Sequence, residues 1–260
     1  MIVRKEADGT ILIAQTDHSR LVGQMAAHWG NAQFAPPRPY ESVARAAAFH
    51  DFGWLRYETE PYFDPATGET PEFRRAPSTA RQLEGYAWCT DWLLVGDPYA
   101  SLIVNMHRTG LWRSRYGAIE HPGYIVARGL SPQIEEFIVR NEARQERERA
   151  AFDAGEVWTN YRLLQVWDLL GLYFTCQEPY EDYIVPVPTH YGAAKDEGVR
   201  MNLSPAGPSK VTFDPYPFDI RPLRVQFPRR VLPAGPFADE AAFRRAYFQA
   251  RLELVEFELV

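Results

Sequence analysis

Apolar side chains recur every three or four positions through much of residues 17–177, the spacing that places them on one face of a helix. Stop signals such as Gly30 and the proline-rich stretch 35–39 divide this segment into several helices. Amphipathic helices bury their apolar faces by packing against one another. The pattern therefore predicts a mainly α protein whose core is a helical bundle over residues 17–177.

The two ends of the chain carry a different pattern. Residues 1–16 predict a β-hairpin. Residues 178–260 hold 11 of the 21 prolines and several short alternating runs, which predict a β-rich segment with one helix near 239–250 and a last strand in 252–260. We expect the hairpin to pair with the late strands in a small β-element beside the helices, so that the three segments form one structural unit.

Composition excludes several classes of protein. The net charge of −6 argues against broad nucleic-acid binding, which needs a basic surface. The residue pattern leads us to expect neither a signal peptide nor a transmembrane segment, since no run reaches the roughly 18 apolar residues that would span a bilayer. Cys89 and Cys176 lie inside apolar helical patterns, which indicates buried thiols rather than a disulfide framework. We therefore predict a cytoplasmic protein that does not enter a membrane; whether it forms a homo-oligomer stays open.

Four of the predicted helices carry a titratable residue on their apolar face. His18, His50, His107 and Asp168 lie on such faces, and Asp51 follows His50 directly. A single histidine there is usually only hydrogen-bonded, but a buried carboxylate without a partner is very costly. A shared divalent cation would compensate all of these groups, because imidazoles and carboxylates are its natural ligands. We therefore predict a metal site built from His18, His50, Asp51 and Asp168, with His107 close by.

The ligand types also narrow the choice of metal. Nitrogen and oxygen ligands without a thiolate suit Mn²⁺, Fe²⁺, Co²⁺, Ni²⁺, Zn²⁺ or Mg²⁺, and they differ from the cysteine-rich ligand sets of structural zinc sites. A structural zinc ion is therefore the weaker interpretation.

Three segments resemble, in order, the HD-domain superfamily of metal-dependent phosphohydrolases. They are the small-apolar helix with its His-Asp pair and glycine at 46–53 (AAAFHDFG), the histidine helix at 103–108 (IVNMHR) and the closing aspartate segment at 164–170 (LQVWDLL). The resemblance covers roughly residues 17–175, and the whole chain is most similar to an uncharacterised bacterial branch. It implies an HD-type helical bundle.

The resemblance also assigns roles to the titratable residues. It makes His18, His50, Asp51 and Asp168 ligands of a first metal ion. His107 becomes either a ligand of a second ion or a substrate-facing acid or electrostatic stabiliser, and His121 is a further candidate for a second ion. One or two ions are therefore expected.

The reaction that this resemblance implies is hydrolysis of a phosphate ester, either a monoester or a diester, on a small phosphorylated molecule. The metal would lower the pKa of a bound water, and Asp51 would orient or deprotonate it. Arg108, Arg113 and Arg115 could hold phosphate oxygens. An ordinary solvated loop is the simpler interpretation of these arginines.

Two other functions stay open at the level of sequence. The ordered histidines and aspartates are numerous enough for two metals, so a di-iron oxygenase of the HD type would keep the site and change the reaction; it predicts a pair of iron ions. Alternatively, the fold is a metal-stabilised binding module without catalysis. The metal content of the purified protein discriminates among the three.

Overall fold

Helices make up most of the first two thirds of the chain. The computed structural model describes residues 1–76, 79–119, 121 and 130–260; residues 77–78, 120 and 122–129, which fall within the predicted helical segment 17–177, lie outside the described residues. None of the described helices combines the length and the apolarity needed to cross a bilayer. The α-helices in the described ranges are α1 (Gln15–Ala27), α2 (Tyr40–Phe49), α3 (Leu55–Glu58), α4 (Ala80–Gly96), α5 (Pro98–Trp112), α6 (Pro132–Arg149), α7 (Ala154–Thr175) and α8 (Glu240–Gln249).

The strands form one seven-stranded mixed sheet that curls into a half-barrel. The N-terminal hairpin pairs with itself, Ile2 opposite Ile13, and then joins β6. Neighbouring strands run antiparallel except β5 and β7, which are parallel. The spatial order is β1-β2-β6-β7-β5-β4-β3, with β1 (Ile2–Glu6), β2 (Gly9–Ile13), β3 (Asp182–Val187), β4 (Val199–Gly207), β5 (Lys210–Asp214), β6 (Leu223–Leu232) and β7 (Arg251–Leu259).

The prediction of a mainly α protein is wrong. Of the described residues 47% are helical and 21% lie in strands or bridges, so the fold is α/β. The expected small β-element is a full layer because β6 and β7 pair along nearly their whole length, from Leu223–Leu259 to Val231–Arg251. This long ribbon connects the N-terminal hairpin on one side with β3–β5 on the other. A helical bundle of the HD type, which the resemblance implied, does not contain such a layer.

Helix α7 lies at the centre of the core. It is buried over nearly all of its length, so its apolar residues surround it instead of forming one stripe. Trp167 packs against Trp29, which follows α1, with ring centroids 5.7 Å apart, and Phe174 packs against Phe257 of β7 at 5.0 Å. Helix α7 therefore contacts the other core helices and the sheet, and polar residues on it lie inside the protein.

Side-chain caps define where the long helices begin. The carboxylate of Asp153 accepts the backbone N–H of Glu156 at the start of α7, and Asp97 accepts that of Ala100 at the start of α5. Pro98 occupies the first turn of α5, where its missing N–H costs nothing. These caps set the register of the two helices that carry His107 and Asp168.

Replacing Asp97 with alanine is expected to destabilise the protein by about 1 kcal/mol, because the first turn of α5 loses its cap. Asp97 also pairs with Arg45. An Asp97→Asn variant keeps the capping oxygen and loses the charge, so it should retain most of the stability. Urea unfolding of the three proteins measures the difference; equal losses in both variants would assign the effect to the ion pair instead.

Candidate metal centre

Five titratable side chains from four parts of the chain converge in the core. His18 comes from α1, His50 and Asp51 from the end of α2, His107 from α5 and Asp168 from α7, and all five are buried. The His50 ring lies 5.4 Å from that of His18 and 4.9 Å from that of His107, centroid to centroid. The structure thus brings together all the residues predicted for the first metal ion, with His107 beside them.

The spacing of the polar atoms matches the edges of a metal coordination shell. His18 Nε2 lies 3.1 Å from Asp168 Oδ1, while His50 Nε2 lies 3.5 Å from Asp168 Oδ1 and 3.6 Å from Asp51 Oδ2. Ligand atoms around one ion at bond lengths of about 2.0–2.2 Å are separated by about 2.8–3.6 Å in octahedral or tetrahedral geometry. Two overlapping sets, His18-His50-Asp168 and His50-Asp51-His107, have ligand atoms within 4.8 Å of one another.

The tautomer of His50 follows from its surroundings. Its Nδ1 lies 2.8 Å from the carbonyl oxygen of Ala47, which can only accept, so Nδ1 carries the hydrogen. In the neutral ring Nε2 then has a free lone pair, and no described residue makes a hydrogen bond with that atom. A backbone carbonyl on one ring nitrogen and a free lone pair on the other is the usual arrangement of a metal-ligating histidine.

Two small residues allow the histidines to approach. A Cβ at Gly171 of α7 would lie 2.6 Å from Cε1 and 2.9 Å from Nδ1 of His18, so only glycine leaves room for that ring. Ser19 Oγ donates to the carbonyl of Ala48 at 2.9 Å and accepts the backbone N–H of Asp51 at 3.2 Å. Gly171 therefore positions His18, and Ser19 holds the end of α2 that carries His50 and Asp51.

Electrostatic interactions within the cluster favour a cation. Burial alone would lower the pKa of His50, but Asp51 and Asp168 outweigh it and the pKa is raised. Burial would raise the pKa of Asp51, but Arg108 and His50 hold it below the usual value. Burial would likewise raise the pKa of Asp168, yet contacts with the imidazoles keep it well below its usual range. Burial places the pKa of His107 well below normal, so that ring is neutral.

Arg108 is part of the cluster and not of a solvated loop. Its Nη2 pairs with Asp51 Oδ1 and donates to the backbone carbonyl of His50 at 2.5 Å, and its guanidinium lies 4.1 Å from the centre of the Tyr86 ring. With neutral imidazoles, the carboxylates of Asp51 and Asp168 together with the Arg108 guanidinium leave one net negative charge in a buried site. Either a proton on His50, whose pKa is raised, or a divalent cation would offset that charge.

A narrow cavity of about 60 Å³ opens onto the cluster. Asp51, His107 and Asp168 line it, whereas the rings of His18 and His50 lie behind them. Arginines also line it, and the remaining wall is largely aromatic. A cavity of this volume can hold a few water molecules or one small group such as a phosphoryl group. The arginines at this cavity are Arg74, Arg108 and Arg115.

Arg115 reaches this cavity from an unusual turn. Ser114, Arg115 and Tyr116 have φ values of 50°, 51° and 50°, the left-handed region that costs a non-glycine residue about 1–2 kcal/mol. Three consecutive residues in this region are uncommon. The turn directs Arg115 into the cavity at the cluster, while Tyr116 lines a second cavity at the start of α7.

Two of the predicted site residues lie elsewhere. Arg113 does not line the cavity; it pairs with Glu135 and Glu142 of α6. His121 is buried next to β3, where its Nε2 lies 3.0 Å from Asp182 Oδ2, and it belongs to neither set of candidate ligands. The structure therefore does not bring His121 to the position of a second ion beside His50.

Sequence reasoning missed three residues of this site. The amide nitrogen of Gln165 lies 2.7 Å from His107 Nδ1. Gln165 precedes Asp168 by one helical turn in an otherwise apolar stretch, so the signal was available. Ser19 adjoins His18 and also could have been noticed. Arg74 comes from the loop before α4, and no local pattern points to it.

Comparison with known proteins places the chain in a family without a known activity. A family model described as "Protein of unknown function (DUF3891)" matches residues 1–234, and the chain belongs to that family. No curated protein and no solved structure matches it. Recognition as an HD-domain protein is therefore wrong. Gly53, part of the motif that suggested it, has a local cause: a Cβ there would lie 2.8 Å from the carbonyl oxygen of Gly85 on α4.

Proposed function

We propose that this member of the DUF3891 family is a metal-dependent hydrolase that acts on a phosphate ester. The observation that carries the proposal is the buried cluster itself, in which two carboxylates and two imidazoles have the spacing of ligands around one ion, with a third imidazole beside them. Both carboxylates line a narrow cavity together with three arginines. Guanidinium groups in such a position suit an anionic phosphoryl group, which they bind in a bidentate manner.

The arrangement favours a single ion over a pair. The two candidate ligand sets share His50. Its Nδ1 donates to the Ala47 carbonyl, so only the lone pair of Nε2 can bind metal, and one lone pair binds one ion. One oxygen of Asp51 faces His50 Nε2, but the other is paired with Arg108. The guanidinium thus stands where a second cation would bind that carboxylate, and it supplies the positive charge that a second ion would bring.

Each residue then has a distinct role. His18, His50 and Asp168 hold the ion, which when bound would supply a water of lowered pKa. Asp51 faces the cavity beside them and orients that water towards the phosphoryl group. With the Gln165 amide in its observed orientation, His107 Nδ1 accepts, so Nε2 carries a hydrogen that can be donated to a substrate oxygen.

Elemental analysis of the purified protein is the first test, followed by assays with p-nitrophenyl phosphate and bis(p-nitrophenyl) phosphate after loading each candidate metal. We expect about one equivalent of Mn, Fe, Co, Ni, Zn or Mg per chain and hydrolysis that a chelator abolishes. Retention of no metal after incubation with an excess would make the metalloenzyme proposal wrong. If the protein binds metal but cleaves neither ester, the metal site is supported and the hydrolase activity is wrong. Two bound irons per chain would favour an oxygenase.

Replacing Ser19 with alanine is expected to weaken metal binding about tenfold, the loss typical of residues that orient metal ligands. Ser19 Oγ is the contact that holds the end of α2. Chelator competition measures the change in affinity. Ser101→Ala is a matched control, because Ser101 is equally buried and donates to the Thr90 carbonyl away from the cluster; a similar loss there would indicate a general packing effect.

A further inference from the structure

A second, larger cavity lies at the start of α7. Its volume is about 500 Å³, within the range of about 300–1,000 Å³ typical of small-molecule sites. Small residues such as Gly155 and Gly192 form part of the wall, and the rings of Tyr116 and Trp158 form another part. The two rings lie edge to face with centroids 6.1 Å apart. The cavity shares no lining residue with the cavity at the metal centre.

The charged groups of this cavity are cations. Arg162 and Lys195 line it, and no carboxylate among the described residues does, although the whole chain carries a net charge of −6. Arg162 is only 3% exposed, and its Nη atoms donate to the backbone carbonyls of Ala194 and Glu197. Its Nε has no hydrogen-bond partner among the described residues. A buried guanidinium N–H without an acceptor is costly and indicates a missing anionic or carbonyl partner.

Lys195 is at the rim of the same cavity. It forms no ion pair with any residue that the structure describes. Gly117, with φ of 62°, packs against it, since a Cβ at Gly117 would lie 2.7 Å from Lys195 Nζ. Ala154 and Gly155 of the first turn of α7 also line the cavity, and the N-terminus of this helix is capped by the Asp153 carboxylate.

We propose that the second cavity binds a small aromatic anion. The ring packs against Trp158 and Tyr116, and the anionic group lies beside Lys195 and the guanidinium of Arg162. Aromatic walls favour a planar apolar body, and two cations without a carboxylate favour a negative charge at one end. The site is independent of the metal centre and of the reaction proposed there.

Isothermal titration calorimetry with naphthalene-2-sulfonate tests the proposal, with the uncharged naphthalene-2-sulfonamide as the matched probe. We expect one sulfonate per chain and weaker binding of the sulfonamide. Lys195→Met should weaken sulfonate binding about fivefold and leave the sulfonamide unchanged, because only a charge is lost. Trp158→Leu should weaken both probes about tenfold through the lost ring contact.

Lys210→Met is the control for overall charge, since Lys210 lies on β5 and not at the cavity. Both lysines are exposed, so both variants should fold. The proposal is overturned if the wild-type protein binds no sulfonate up to millimolar concentration, or if Lys195→Met and Lys210→Met weaken binding equally. Unchanged affinity in Trp158→Leu would likewise place the probe outside this cavity.

Discussion

An Asp168→Asn variant is expected to lose its bound metal, with an affinity at least about 100-fold below that of the wild-type protein. Asp168 Oδ1 lies 3.1 Å from His18 Nε2 and 3.5 Å from His50 Nε2, so it is the carboxylate that joins the two imidazoles. An amide of the same shape keeps the packing but removes the charge that attracts the ion. Elemental analysis and chelator competition measure the loss.

Thermal unfolding gives a second readout of the same variant. Saturating metal at about 100 times its dissociation constant adds about 2.7 kcal/mol to the stability of a protein that binds it only when folded. For a chain of this size that gain raises the Tm by roughly 5–10 °C. The wild-type protein should show the rise, and the Asp168→Asn variant should not.

Asp182→Asn is the matched control, because Asp182 makes the same kind of contact with a buried histidine, His121, away from the cluster. We expect it to keep the wild-type metal content. Loss of metal in the control alone would indicate that the metal binds at His121 and Asp182. Full retention of metal by the Asp168→Asn variant would show that Asp168 is not a ligand of the ion.

A Gly171→Ala variant is expected to be destabilised by up to about 3 kcal/mol and to bind metal more weakly. The added methyl would lie 2.6 Å from both His18 Cε1 and Val22 Cγ2, so α1 and α7 must separate or the imidazole must turn. Alanine normally stabilises a helix relative to glycine. A loss of stability in this variant would therefore be opposite in sign to the difference in helix propensity. Urea unfolding and metal competition measure the two effects.

Gly96→Ala at the end of α4 provides the comparison, since a Cβ there meets no atom within 4 Å. We expect that variant to be as stable as the wild-type protein or slightly more stable, with unchanged metal affinity. If Gly171→Ala matched it in both measurements, the close approach between His18 and α7 would not determine the geometry of the site.

Much of the candidate site could be predicted because helical periodicity is local. His18 lies on an apolar stripe and Asp168 in an almost entirely apolar segment, both visible in the sequence alone, and a buried carboxylate needs compensation wherever its helix packs. The residues that support these ligands were harder to predict. Ser19 is adjacent in sequence to a predicted ligand and Gln165 is one helical turn from another, but which contacts they make depends on how α1, α5 and α7 pack together.

The architecture was predicted less well. Alternating residues indicated strands at both ends of the chain, but no local pattern shows that 223–232 and 251–259 pair over their full length. The pairing of β2 with β6 then joins residues more than 200 positions apart, Thr10 opposite Leu232, and together these contacts turn a small β-element into a sheet. The His50-Asp51 pair led to the wrong superfamily, because a short motif at a helix end is compatible with more than one fold.

The sequence by itself determined the helices, the faces that they bury and the titratable residues on those faces, because these properties depend on spacing along the chain. Only the tertiary structure decided that His18 and Asp168, 150 residues apart, lie 3.1 Å from each other, that Arg108 pairs with Asp51, and that Arg113 and His121 lie elsewhere. Whether two buried groups meet depends on the packing of helices on the sheet, and no spacing within one helix encodes that packing.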